Sequence, residues 1–330
     1  MLLVPFSSEH VPLAAALAAK NHEAERKHVS LLPERSASHY EPLLAAILEK
    51  NIGVAAFEGE CFAGYLIGEK VTNFKGTQNG IYVPEWGNGA AGSNRRWMYS
   101  RMYQHIAARW VDNGCFTHAL TLFAHDAEAI NTWFRLAFGM ICGDGLRPLT
   151  PVDDTQNISR EISVRIASAA DIPLVYPLTV EHSRYYPAAP LFMPLLSCDG
   201  EDKYRSWLRK HHHNLWLAFI GDEVVGYFQS SPSHTGACEM IASPTTCSVS
   251  SAYVRPEYRR KGVAVALLNA VIVWAAENGY ERCAVDYEVH NLYGSRFWER
   301  HFTPVSASLL RRIDERVAWA HAERDLSNLW

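Results

Sequence analysis

Residues 252–271 read AYVRPEYRRKGVAVALLNAV. An apolar strand ending meets Pro256, then Arg259, Arg260 and Lys261, then Gly262, then a long apolar run. Proline has no N–H to give a sheet ladder, so the strand stops before it. The apolar run predicts a helix from about Gly262 to Gly279, a residue type suited to the position just past a helix end. The first amides of such a helix have no partners inside it, and its dipole adds about half a positive charge there. Three cationic side chains surround that end, and glycine lets a bulky group approach the backbone. Together these features make an anion cradle of diphosphate type. The stretch has neither the G-x-x-x-x-G-K-[ST] of a P-loop nor the three glycines of a dinucleotide fingerprint. The plainer reading of the same residues is a solvated turn.

Working outward, the chain contains its own pattern twice. AAFEGECFAGYLI (55–67) lies over LAFIGDEVVGYFQ (217–229), so that Gly59, Gly64 and Tyr65 fall on Gly221, Gly226 and Tyr227. Each copy predicts a β-hairpin with an acid and a glycine at its turn. YVPE (82–85) resembles YVRPE (253–257), and DNGCFTHALTLFAHD (112–126) lies over ENGYERCAVDYEVHN (277–291). The last alignment sets Asp126 on Asn291 and Trp133 on Trp298. Two copies of one fold are expected, at 1–148 and 158–330, joined near the polar stretch 143–157. Each copy predicts a helical segment, a strand meander, then strand, long helix, strand and helix. That order implies a mixed α/β sheet with one β-α-β crossover.

Composition narrows the rest. The chain has 330 residues, 48% hydrophobic, with a formal net charge of −4. This balance argues against bulk electrostatic binding of nucleic acid or an anionic membrane. Seven scattered cysteines with no C-x-x-C spacing read as reduced thiols rather than a disulfide frame or zinc site, and a cytoplasmic location is expected. The start MLLVPFSSEH has no basic region before its short apolar run, and no membrane span is expected. Three successive histidines, 211–213, point apart on any regular element and read as surface, so no metal is expected.

The stretch V-R-P-E-Y-R-R-K-G-V-A resembles motif A of the GCN5-related N-acetyltransferases, R/Q-x-x-G-x-G/A, matched here by Arg259, Gly262 and Ala264. NLYGSRFWERHFTPV (291–305) resembles that family's following helix, and the hairpin GDEVVGYF is similar too. The resemblance covers about residues 160–315. It implies two tandem acyl-CoA N-acyltransferase folds and acetyl-CoA as cosubstrate. The diphosphate would lie on the amides from Arg260 through Lys261, Gly262 and Val263 to Ala264. The pantetheine would pair with the strand end at Tyr253 and Val254, with the Val254 amide as oxyanion donor. Asn291 would bind the pantetheine arm or cap its helix.

The match departs at Trp298, which stands where many members place a tyrosine as general acid. Trp298 can only line the cofactor, and Tyr293 or Tyr287 would have to supply an acid. For the general base the sequence offers Glu288 and Asp286, two apart on one strand face, and Glu239. The same pair of carboxylates could instead hold a cationic acceptor. The aromatic stretch EHSRYYPAAPLF (181–192) sits where the family places its substrate loop. The first copy has no R-x-x-G-x-G/A, its glycines in EWGNGAAGSNRR precede its arginines, and it is expected not to bind CoA. The expected activity is transfer of acetyl from acetyl-CoA to an amine of a small molecule or a protein N-terminus in a ternary complex. The rival readings are a non-catalytic CoA sensor and an aminoacyl-transferase on the same fold. LLRRIDERVAWAHAERDL (309–326) predicts a strand running into an amphipathic helix, which would serve domain packing or a homodimer contact.

Overall fold

The computed structural model describes residues 1–152, 161–193, 200–233 and 238–317. Packing divides the chain into two units. One holds Met1–Gly143, Cys238–Met240 and the chain from Val305 on; the other holds Asp144–Ala237 and Ile241–Pro304. The repeat read at 1–148 and 158–330 is one of sequence pattern, whereas these are units of contact. No helix among the described residues is long and apolar enough to cross a membrane.

The first unit runs β1 (Leu2–Pro5), α1 (Val11–Arg26), α2 (Ala37–Leu48), β2 (Gly53–Glu58), β3 (Cys61–Ile67), β4 (Glu69–Val71), β5 (Asn79–Val83), β6 (Asn88–Ala90), α3 (Arg95–Asp112), β7 (Cys115–Phe123), α4 (Ala127–Arg135) and the start of β8 (Gly139–Pro148). The second runs β9 (Ile162–Ile166), α5 (Ile172–Tyr185), α6 (Glu201–Leu208), β10 (Asn214–Ile220), β11 (Glu223–Pro232), β12 (Thr246–Val254), α7 (Val263–Glu277), β13 (Arg282–Glu288), α8 (Gly294–His301) and β14 (Thr303–Pro304). The last strand, β15 (Ser306–Arg312), pairs antiparallel with β7 in the first unit.

In the first unit β1, β2, β3 and β6 form one antiparallel sheet, while β5 runs parallel to β7 in another. In the second, β9, β10, β11 and β12 are antiparallel neighbours, and β12 then runs parallel to β13. Both faces of each central hairpin are covered by helices, so its residues alternate between them, with the bulge at Val225 shifting the phase along β11. Val225 and Phe228 meet α7, whereas Val224 and Tyr227 meet the α5 side. Val54 and Leu66 likewise pack with α3, and Ala55 and Tyr65 with α1 and α2. The run from Val263 to Ala275 in α7 is apolar on most of its surface because it is buried against the sheet.

The sequence repeat reappears as geometry. β2 slips register between Ala56 and Phe57, and β10 between Ala218 and Phe219, the matching positions. The turn glycines Gly59 and Gly221 sit at φ 61° and 58°. Ser7 and His10 form a capping box before α1, and Ser168 and Asp171 form one before α5.

Five readings need correction. The first copy's YVPE does not occupy the place of YVRPE. Gly64 faces Ala90 and Gly226 faces Val254, so Ala90, not a residue near Tyr82, is the counterpart of Val254. The glycines around 87–89 are not an open loop but a turn and strand β6, because the hairpin needs a third strand there. The stretch 143–157 begins as part of β8. Residues 181–185 close α5 rather than open a loop, and both copies begin with a short strand before their first helix. The amphipathic helix expected after residue 317 lies outside the described residues.

Candidate functional site

β12 and β13 are in register from Thr246 with Arg282 to Val249 with Val285. Beyond that β12 continues alone against β11 to Gly226 opposite Val254. The Arg255 amide donates to the Val225 carbonyl at 3.0 Å. In an antiparallel ladder this bond makes Gly226 and Val254 a non-hydrogen-bonded pair. The Val254 N–H and C=O therefore point away from β11, toward the side that β13 has left. Gly226 leaves room for this close pairing, since a Cβ there would lie 2.9 Å from the Tyr253 carbonyl oxygen.

A cavity of about 830 Å³ opens at this place. Tyr253 and Val254 line it, as do Arg259, Arg260, Gly262, Val263 and Ala264. The turn 255–262 carries two left-handed residues, Arg260 at φ 62° and Gly262 at φ 85°. Successive amides in such a turn form an anion-binding concavity, and a non-glycine residue held at positive φ marks local strain. No side chain caps the N-terminus of α7, so its first amides face the cavity end with the helix dipole behind them. Lys261 is not among the lining residues; its ammonium lies over the Tyr258 ring.

Arg259 is held rather than free. Its Nε donates to the Val254 carbonyl at 3.0 Å, and its guanidinium sits within 5.3–5.9 Å of the Tyr185, Tyr253 and Tyr293 ring centres. Across the cavity Asn291 caps α8, its Oδ1 accepting from the Gly294 amide at 3.1 Å and from the Tyr185 hydroxyl at 3.2 Å. Trp298 lines the cavity from α8 but is buried against Phe228 and Phe302, and its indole carries no usable acid. Tyr293 also lines the cavity and is 66% exposed. Tyr287 is in the core.

Of the candidate bases, Glu239 lies apart from Asp286 and Glu288. Glu239 counts with the first unit, where its carboxylate meets His39 at 3.1 Å and burial pushes its acid form up. Asp286 and Glu288 do not line the cavity. They alternate with core residues Val285 and Tyr287, so both face the α5 side of the sheet. There Tyr186 feels them. Burial first, then the charges of Glu288 and Asp286, push its phenol above the ordinary range.

Among the lining residues that the sequence reading did not name is a histidine. His182 on α5 stacks on Tyr253 at 5.2 Å, and its Nδ1 lies 2.9 Å from the Tyr227 hydroxyl. Burial, and secondarily the charge of Arg259, lowers its pKa to about 4, so it is neutral at pH 7. The stretch EHSRYY drew attention to its tyrosines, and nothing in one sequence separates a cavity histidine from a surface one. His211 and His212 do stack, ring centres 3.8 Å apart, and no cluster fit for a metal occurs among the described residues.

Residues 179–302 match the acetyltransferase (GNAT) family. The fold is shared with a GCN5-related N-acetyltransferase from Sphaerobacter thermophilus, 14% identical, TM-score 0.54, over 94% of this chain and 95% of that one. It is also shared with a GCN5-related glucosamine N-acetyltransferase region of a fungal multi-domain GH3 β-N-acetylglucosaminidase, 11% identical, TM-score 0.54, over 94% of this chain and 38% of that one. No curated protein matches the chain in sequence.

Proposed function

We propose that this chain, which carries an acetyltransferase (GNAT) family domain in its second half, transfers the acetyl group of acetyl-CoA to an amine, with its active site in the second unit. The observation that supports this best is the parting of β12 from β13. It turns the amide and carbonyl of Val254 toward a cavity that also holds an uncapped helix N-terminus. In this reading the diphosphate rests on the amides of 260–264, with Arg259, Arg260 and Lys261 supplying charge. The pantetheine runs along the end of β12 past Tyr253, with Asn291 and Trp298 as its opposite wall. The Val254 N–H receives the thioester oxygen as negative charge develops on it.

The acceptor enters on the α5 side, where Asp286 and Glu288 draw an ammonium group. Once deprotonated, the neutral amine nitrogen attacks the carbonyl carbon, the C–S bond breaks, the thiolate leaves, and the nitrogen's surplus proton passes to a base or to water. Trp298 cannot protonate that thiolate, and Tyr293 is one of the phenols that line the same cavity. The first unit is read as a copy without a CoA site.

Calorimetric titration with acetyl-CoA tests the reading. One site per chain is expected. Two sites would overturn the reading of the first unit, and no binding would remove the transferase assignment altogether.

A further inference from the structure

Direct transfer leaves a proton on the acceptor nitrogen that must go to a protein group or to water. We infer that His182 takes that proton at Nε2, as the outer end of a chain of hydroxyls running from Ser251 through Tyr227. The inference rests on the transferase reading above. Its geometry does not.

His182 projects from the last turns of α5 into the cavity. Its Nδ1 lies 2.9 Å from the Tyr227 oxygen, which lies 3.3 Å from the Ser251 oxygen. Tyr227 is 2% exposed, so its hydroxyl has few partners to choose from. With Tyr227 donating to Ser251, the phenol oxygen accepts from the Nδ1–H of His182. That order leaves an unprotonated Nε2. His182 is only half-buried and lines the cavity, and with Nδ1 on Tyr227 the ring nitrogen left for a cavity ligand is Nε2. Stacking on Tyr253 and contact with Tyr186 fix the ring plane. Tyr253 precedes Val254, whose N–H faces the thioester in the proposed complex.

The atoms balance. The amine nitrogen forms the C–N bond, the C–S bond breaks, and the nitrogen's surplus proton moves to Nε2. The imidazolium then yields it to the departing thiolate, giving amide and free thiol. Burial first and Arg259 second lower the basicity of His182; Glu181 is paired to Arg255 beyond Tyr253, and Asp286 and Glu288 bear on Tyr186, which contacts the His182 ring. A diphosphate beside Arg259 offsets the cation's effect, so bound acetyl-CoA makes His182 the stronger base.

The test has two arms. Long-range ¹H–¹⁵N NMR, with His182 assigned through H182Q, reads the ring tautomer at pH 7 without an acceptor. An unprotonated Nε2 is expected, with mixed tautomers in Y227F. A protonated Nε2 overturns the assignment. Thiol release from acetyl-CoA is then monitored with spermidine, glucosamine and tyramine as probe amines. H182Q should lower kcat by roughly 10²- to 10³-fold while acetyl-CoA affinity stays within about twofold. Y227F should lower kcat by about tenfold. Full turnover by H182Q removes this assignment alone. Absence of turnover by the wild type with all three probes removes the transferase reading, and this assignment with it.

Discussion

Each unit lays a third strand against the same hairpin, with Ala90 facing Gly64 in one and Val254 facing Gly226 in the other. Past that strand the two chains diverge. In the second unit residues 255–262 make a cationic turn with two left-handed positions, and the next helix starts without a side-chain cap. In the first unit only residues 91–94 intervene, and Asn94 caps the helix by accepting from the Trp97 amide. Its nearest cation, Arg95, donates to the Ala90 carbonyl as Arg259 does to that of Val254, but is also paired with Asp126. β5 also stays paired to β7 as far as Val83 with Leu120, and the Asn88 amide then bridges the Pro84 and Thr121 carbonyls. The strand-end carbonyl is thus met by an arginine in both units, and what differs is the turn that follows, cationic with two left-handed positions in one and short with a side-chain cap in the other. The fold is common to both; the capacity to bind an anion resides in one turn.

The sharpest way to break this comparison is to place the same charge in both turns. Gly262→Glu should weaken acetyl-CoA binding by at least about 100-fold, since it sets a carboxylate into the cradle and forces a side chain onto a left-handed position. Gly92→Glu, also at a left-handed glycine, should leave the affinity unchanged. Calorimetry on both variants decides. A loss caused by Gly92→Glu would mean that the first unit binds the cofactor after all.

The two matched N-caps sharpen it further. Asp126 accepts from the Ala129 amide and holds Arg95, so Asp126→Ala should cost about 2–3 kcal/mol in denaturant unfolding and nothing in acetyl-CoA affinity. Asn291→Ala should cost only about 1 kcal/mol as a lost cap, yet, if Asn291 forms the pantetheine wall proposed above, weaken acetyl-CoA by roughly tenfold. Equal stability losses with no change in affinity would reduce Asn291 to a cap like its counterpart.

Much of this was legible in the sequence, and the failures have physical causes. The hairpins, the crossover helix and its glycine ends announce themselves through local chemistry. Gly59, Gly221, Gly262 and Gly279 all sit at positive φ. The copy boundaries were harder. Tyr82-Val83-Pro84 looks like Tyr253-Val254 because both end strands before a proline, and only the pairing across the hairpin shows that β6 is the true counterpart. β15 looked like the end of the second copy, yet it pairs with β7. Strand partners are long-range facts that a periodicity does not contain. His182 and Tyr227 were missed for the same reason, since they are distant in sequence and meet only once α5 packs on β11.

The smallest effect concerns the capping boxes, where the copies keep the geometry but change the charge. Asp171 accepts from the Ser168 amide at 2.7 Å and from Arg165 at 2.6 and 2.9 Å. The Arg165 guanidinium first, and Ser168 after it, hold its carboxyl well below the usual carboxylate range. A depressed acid contributes stability above its ordinary pKa, near 4, and loses it as pH falls toward the folded value. Asp171→Asn should therefore cost about 1 kcal/mol at pH 7, and the gap from wild type should close as pH falls below about 4. In the first unit His10 accepts from the Ser7 amide at 3.0 Å with no carboxylate in that role. His10→Asn should leave the acid limb near pH 4 in place. Urea unfolding of both variants from pH 7 down to 3 checks the pair. A gap for Asp171→Asn that stays constant across that range would mean that its hydrogen bonds matter there and its charge does not.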